Sequence, residues 1–247
     1  SLLKTWLSED TLSAERAAVL RGFLIAQAAD PEVQTLIAQA LTNSNTSRSA
    51  KGILLEVIQR SALKEFPVAW RQALESTLKS QAPELQILVI RIAQSNDLPE
   101  LSGLLTSLAL DTQQPATLRI EALSAAGSQL KSVEAEPFVF LIARMSEEYP
   151  PLDRLAAARA LAGLPLSEGQ RIPLSKRLDA AGPLALPVLL RAYTKSNAEP
   201  VGLALINALN ASSAATNLSA DELASLLKKY PEPVQKAADP LLKKLGV

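Results

Sequence analysis

The residue types that most often carry chemistry are thin in this chain. It has no cysteine and no histidine in 247 residues. Thiolate nucleophiles, Cys/His zinc sites, covalent c-type haem attachment, disulfides and histidine-dependent triads are thereby excluded within it. The nearest thing to a carboxylate pair is Glu134 and Glu136 in EAEPF. Residues two apart at a helix start point in different directions, so they are expected to favour the positive end of a helix dipole rather than exchange protons. A carboxylate-only metal site needs acidic residues on one wall, and SEEYP and SADEL do not supply one. No catalytic, cofactor-binding or metal-ligating residue is expected, and no cofactor in this segment.

What recurs instead is a cation. Arg16, Arg48, Arg119 and Arg154 each open an apolar run; Gln86 stands at the matching place in another, and Gly202 in a degenerate copy. The successive gaps are 32, 38, 33, 35 and 48 residues. Two chemistries fit such a ladder. As a structural device, each side chain lies in the first turn of the second helix and bridges the inter-helix turn to the adjacent repeat, through an acid such as Asp111 or Asp153 or through a turn carbonyl. As a functional device, the ladder presents cations to an anionic partner on a possible interaction face. One buried charge per repeat is what stacking alone requires, so the structural role is expected and the interaction face is its alternative.

The aromatic residues divide the same way. Trp6 and Trp70 could stack a ligand, but Trp70 lies at helical spacing with Phe66, Ala73 and Leu74, which predicts core packing. Tyr149, Tyr193 and Tyr230 each close a helix beside a turn, where packing or capping is expected. NTS at Asn45, NAS at Asn210 and NLS at Asn217 match glycosylation acceptors, a triplet that chance alone supplies.

The elements that must position these residues are helices. Aromatics are only 4 % of a chain that is 48 % apolar, so its core is Leu, Ala, Ile and Val, mostly helix formers. Period-two alternation is nearly absent, which predicts an all-α fold. A period of this length signals an α-α superhelix. Before each ladder helix lies another one-faced helix: PEVQTLIAQALTN, PVAWRQALESTLKS, LPELSGLLTSLAL, EPFVFLIARMSEE and LSEGQRIPLSKRLDAAG. Asp97 with Glu100, Ser167 with Gln170 and Ser219 with Glu222 fit the capping box. GPLALPVLLRAY, residues 182–193, reads as an extra helix in the longest gap, and SADELASLLKKY and EPVQKAADPLLKKL close the chain. About six to seven antiparallel helix pairs result. Residues 1–247 thus read as one solenoid, regular over 12–163 and divergent over 164–247. Ala156, Ala157, Ala158 and Ala160, like Ala122, Ala125 and Ala126, let neighbouring backbones approach.

This pattern resembles HEAT repeats over about residues 12–211: two helices, a Pro- or Asp-containing turn, then Arg before Ala-rich apolar residues; armadillo-type repeats share much of it. The last third is similar to a narrower group. AGPLALPVLLRAY, VGLALINALNAS and LLKKYPEPVQKAADPLL resemble a segment of PVC-type haem-binding CxxCH proteins. In that family a propeller dehydrogenase-like domain is followed by HEAT-like repeats and a c-type cytochrome domain. The family's haem ligands and attachment cysteines have no counterpart here. The resemblance implies a helical spacer within a secreted or periplasmic dehydrogenase, joined to neighbouring domains or a partner protein.

Charge weighs on the competing functions. Acidic and basic residues balance at 25 each, and no Lys/Arg cluster exceeds LLKKL. A HEAT-like nucleic-acid-processing enzyme needs a basic face, so nucleic acid is not an expected partner. No apolar stretch approaches the roughly 20 residues of a membrane span, so membrane insertion is not expected. SLLKTWLSED lacks the pattern of a signal peptide and an initiator Met, which suggests an excised or truncated segment. A cytoplasmic adaptor, which would begin with Met, is the remaining alternative. The expected function is a non-catalytic scaffold; its oligomeric state is open.

Overall fold

Prolines and short polar side chains set the helix starts. The computed structural model describes residues 2–96, 98–127 and 129–246, with side chains from residue 5 onward. Asp97, one half of an expected capping box, lies outside the described residues. Every regular element among them is helical. Two compact units, residues 1–125 and 126–247, divide the chain.

The first unit holds α1 (Leu2–Ser8), α2 (Ala14–Ala26), α3 (Pro31–Thr42), α4 (Arg48–Arg60), α5 (Val68–Leu78), α6 (Pro83–Ser95), α7 (Ser102–Leu110) and α8 (Ala116–Ala126), the last running one residue past the boundary. Ser13 caps α2 by accepting from the Arg16 N–H at 3.3 Å, and Ser47 caps α4 through the Ala50 N–H at 3.1 Å. At α3, Asp30 accepts from the Glu32 N–H at 2.8 Å, beside Pro31 whose missing N–H needs no partner. A short 3-10 turn, Pro99–Leu101, leads into α7. Helices pack on their next-but-one neighbours: α2 on α4, α4 on α6, α3 on α5. Leu54, Leu55, Val57, Ile58, Leu74 and Ile90 fill this core. Each such burial contributes about 1.5–3 kcal/mol.

The second unit holds α9 (Ala135–Ala143), α10 (Pro151–Gly163), α11 (Glu168–Ser175), α12 (Leu178–Leu189), α13 (Glu199–Ala211), α14 (Ala220–Leu227) and α15 (Glu232–Leu245). The same order recurs: α10 on α12, α11 on α13, α13 on α15. Ser167 and Gln170 form a reciprocal capping box at 3.3 and 2.9 Å, and Ser219 accepts from the Glu222 N–H. Ala157, Ala158 and Ala160 are buried in α10, which packs closely on α12.

One stretch departs from expectation. LSEGQRIPLSKRLDAAG is not a single helix. Pro173 lies inside α11, which ends at Ser175; Leu178 opens the next helix. That helix breaks at Gly182, with φ 73° and ψ 174°, a backbone open in practice only to glycine. Beyond Leu189 the chain tightens into a 3-10 turn, Leu190–Tyr193. A further 3-10 turn, Ser213–Asn217, follows α13.

Candidate functional site

The ladder residues fall into two groups. Arg16 and Arg48 are exposed, with 52 % and 76 % of their side-chain surfaces open. Arg16 pairs with Glu9 at 3.1 Å and lies over the Trp6 ring at 5.9 Å; Arg48 reaches Glu84 of α6 at 3.5 Å. Gln86 and Arg119 are buried. Gln86 Nε2 donates to the Leu78 and Ser80 carbonyls at 2.8 and 2.9 Å. Arg119 Nε donates to the Ala109 carbonyl at 3.2 Å. Arg154 is half-buried, and its Nη1 donates to the Ala180 carbonyl, which lies just before the Gly182 break.

A common chemistry links the buried members. The last carbonyls of a helix have no intrahelical donor and carry the negative end of its dipole. Gln86 serves the end of α5, Arg119 that of α7 and Arg154 the first segment of α12. Gln86 does this without charge, so the position supplies a donor rather than a cation. Among the named acids, Asp111 lies within the field of Arg119, but its carboxyl is held below the usual range first by the Gln114 amide and then by the Gln113 N–H. Asp153 stands in the first turn of α10, where its charge favours the helix dipole. Arg16 and Arg48, the exposed members, are already paired with carboxylates.

At Gly202 the arrangement changes. A Cβ there would lie 2.6 Å from Tyr230 Cδ1 and 2.7 Å from Val234 Cγ1. The Tyr230 ring fills the space, and its hydroxyl donates to the Tyr193 carbonyl at 2.9 Å. Tyr193 in turn donates to the Arg171 carbonyl at 3.1 Å, while Arg171 Nε donates to the Ala192 carbonyl at 2.8 Å. Burial pushes the Tyr193 hydroxyl far up from its ordinary value, helped by Tyr230 and opposed by Arg171; burial also pushes Tyr230 up, against a hydrogen bond with Ser196. The repeat pattern of the sequence does not reveal this buried network. Its one visible signal is Arg171 among Ile172 and Leu174, a cation with apolar neighbours in a short helix.

The other residues singled out are placed as follows. Trp70 is buried, donates to the Gln34 carbonyl at 3.1 Å and meets Phe66 edge-on at 5.9 Å. Trp6 is half-buried beneath Arg16. Glu134 and Glu136 are exposed at the start of α9. Asn45, Asn210 and Asn217 are exposed. Among the described residues no three acidic side chains gather to hold a metal, and no helix is long and apolar enough to cross a membrane. No family model matches the chain, and comparison with curated proteins and with solved structures finds no match.

Proposed function

We propose that the chain is a non-catalytic scaffold of HEAT type, an α-solenoid whose exposed faces hold neighbouring domains or a partner protein. The observation that supports this is the next-but-one packing order within each unit. A single helix hairpin cannot hide both apolar faces, and stacking on the next hairpin hides them. From the resemblance of the last third, the parent is read as a periplasmic or secreted c-type cytochrome dehydrogenase, with this segment as its helical spacer. A propeller encoded upstream and a CxxCH downstream in the parent gene support that reading; their absence counts against it.

Stacked repeats lose structure locally, because each contacts only its neighbours. Ala158→Glu tests this. Ala158 is fully buried in α10, and an unpaired buried carboxylate costs several kcal/mol. Amide exchange should show protection lost in α10 and α12 but kept in α3 to α6. Loss throughout the chain, or none anywhere, is the contrary result.

A further inference from the structure

The second unit carries a cation whose surroundings are built and which has no counter-charge among the described residues. Arg144 stands at the C-terminal end of α9. Its guanidinium lies 5.1 Å from the Phe140 ring and 4.8 Å from the Tyr149 ring. Both distances fall within cation–π range, so two aromatic faces hold the group in place. Among the described residues no carboxylate pairs with it and no hydrogen bond engages it. Stacking uses the faces of a guanidinium and leaves its N–H edge, the edge that grips a carboxylate with two parallel bonds.

Beside it runs a groove of about 470 Å³, lined by Ala135, Val139, Phe140, Ala143 and Tyr149, with Glu136 at the far end. Val139 is 58 % exposed. Glu136 and Arg144 are eight residues apart, about 12 Å along the axis at the α-helical rise. The groove is therefore apolar in the middle and basic at its Arg144 end. An anion is attracted to the Arg144 end. Arginine and tyrosine around an apolar centre are also the residue types on which protein interfaces concentrate binding energy.

We propose that this groove docks a segment of a protein partner, whose carboxylate pairs with Arg144 and whose neighbouring apolar side chain covers Val139. The inference rests on the scaffold reading and names the chemistry of one contact. The competing role for Arg144 is local: a cation at a helix C-terminus favours the dipole. That role predicts a change in stability and no preference among peptides.

The test uses the full chain and two labelled short peptides, one alternating leucine with glutamate and one alternating leucine with lysine. Fluorescence anisotropy should show the glutamate peptide binding the more tightly. Arg144→Gln should weaken it about thirtyfold, the size of a hot-spot loss. Arg144→Lys keeps the charge but not the planar fork, and should fall between the two. Tyr149→Leu, with Arg144 intact, should weaken binding by loosening the guanidinium, which keeps the idea testable if the Gln variant misfolds. Equal affinity for both peptides, or an Arg144→Gln chain that binds as the parent does, overturns the site. The Ala158→Glu exchange experiment is independent of this groove, so a failed docking result and a failed scaffold reading remain distinguishable.

Discussion

Gln86 in the first unit and Gly202 in the second stand at matching places in their helices, and they meet the same need by opposite means. Gln86 reaches back with its own amide to the carbonyls that end α5. Gly202 has no side chain, and Tyr230, in the turn just before α15, enters the space to reach the Tyr193 carbonyl. The comparison teaches that this position must deliver a hydrogen-bond donor to a helix end. Which part of the chain the donor comes from is free to vary, and so is its charge.

The largest effect should come from filling the space at Gly202. Gly202→Ala puts a methyl against the Tyr230 ring and both Val234 methyls at 2.6–2.8 Å. Tyr230 and Val234 are themselves buried, so α15 must shift, at about 1–3 kcal/mol. Gly52→Ala in α4 is the contrast. Nothing lies within 4 Å of its added carbon, and it should gain about 0.5–1 kcal/mol from reduced backbone entropy in the unfolded chain. Urea denaturation of both variants reads the difference; equal and small effects would mean that α13 and α15 are not packed this tightly.

Removing the donors themselves comes next. Tyr230→Phe keeps the ring and deletes the hydroxyl, stranding the Tyr193 carbonyl. Gln86→Leu strands those of Leu78 and Ser80, though it also deletes Gln86 Oε1, a buried oxygen with no hydrogen-bond partner. Each loss should cost about 1–3 kcal/mol. The two tryptophans lie in residues 1–125 and the three tyrosines in residues 126–247. Tryptophan fluorescence thus follows one unit and tyrosine absorbance the other. Gln86→Leu should shift the first signal and Tyr230→Phe the second.

The same division shows what the sequence made legible. Helix positions were readable where caps and prolines mark them, as at Ser13, Ser47, Pro31 and Ser167. The ladder was readable where its donor sits in register. The register fails where a donor comes from elsewhere in the chain. Nothing in VGLALINALNAS indicates that a tyrosine 28 residues on fills the place of a side chain at Gly202. Arg171 escaped for a related reason: it lies 17 residues after Arg154, out of phase with the repeat. Gly182 opens the apolar run GPLALPVLLRAY, yet its role is a backbone turn of positive φ. The Arg154 guanidinium lies within 3.6–3.8 Å of where its Cβ would be. Periodicity reports faces of helices; it is silent about contacts made across them.

Alkali should separate the units more gently. Tyr193 and Tyr230 both have hydroxyls raised above the ordinary value of 10.0 by burial. Their contribution is whole below the unfolded value and declines as pH rises past it, because the unfolded chain releases these protons first. Above about pH 10 the second unit should lose up to about 1 kcal/mol per pH unit for each buried tyrosine. Denaturation near pH 9 and near pH 11 should move the tyrosine signal while the tryptophan signal lags. Tyr230→Phe should blunt the effect.

The smallest effect tests the ladder against itself. Arg48 and Gln86 occupy matching places, but Arg48 is exposed and meets Glu84 only at 3.5 Å. An exposed pair at that distance contributes about 0–1 kcal/mol and is screened by salt. Arg48→Ala should therefore change stability by less than about 0.5 kcal/mol, and salt should remove even that. Gln86→Leu should stay costly at every salt concentration, because its hydrogen bonds are buried and uncharged. If Arg48→Ala proves as damaging as Gln86→Leu, the exposed arginines share the buried role, and the donor requirement inferred from Gly202 and Tyr230 extends to every repeat.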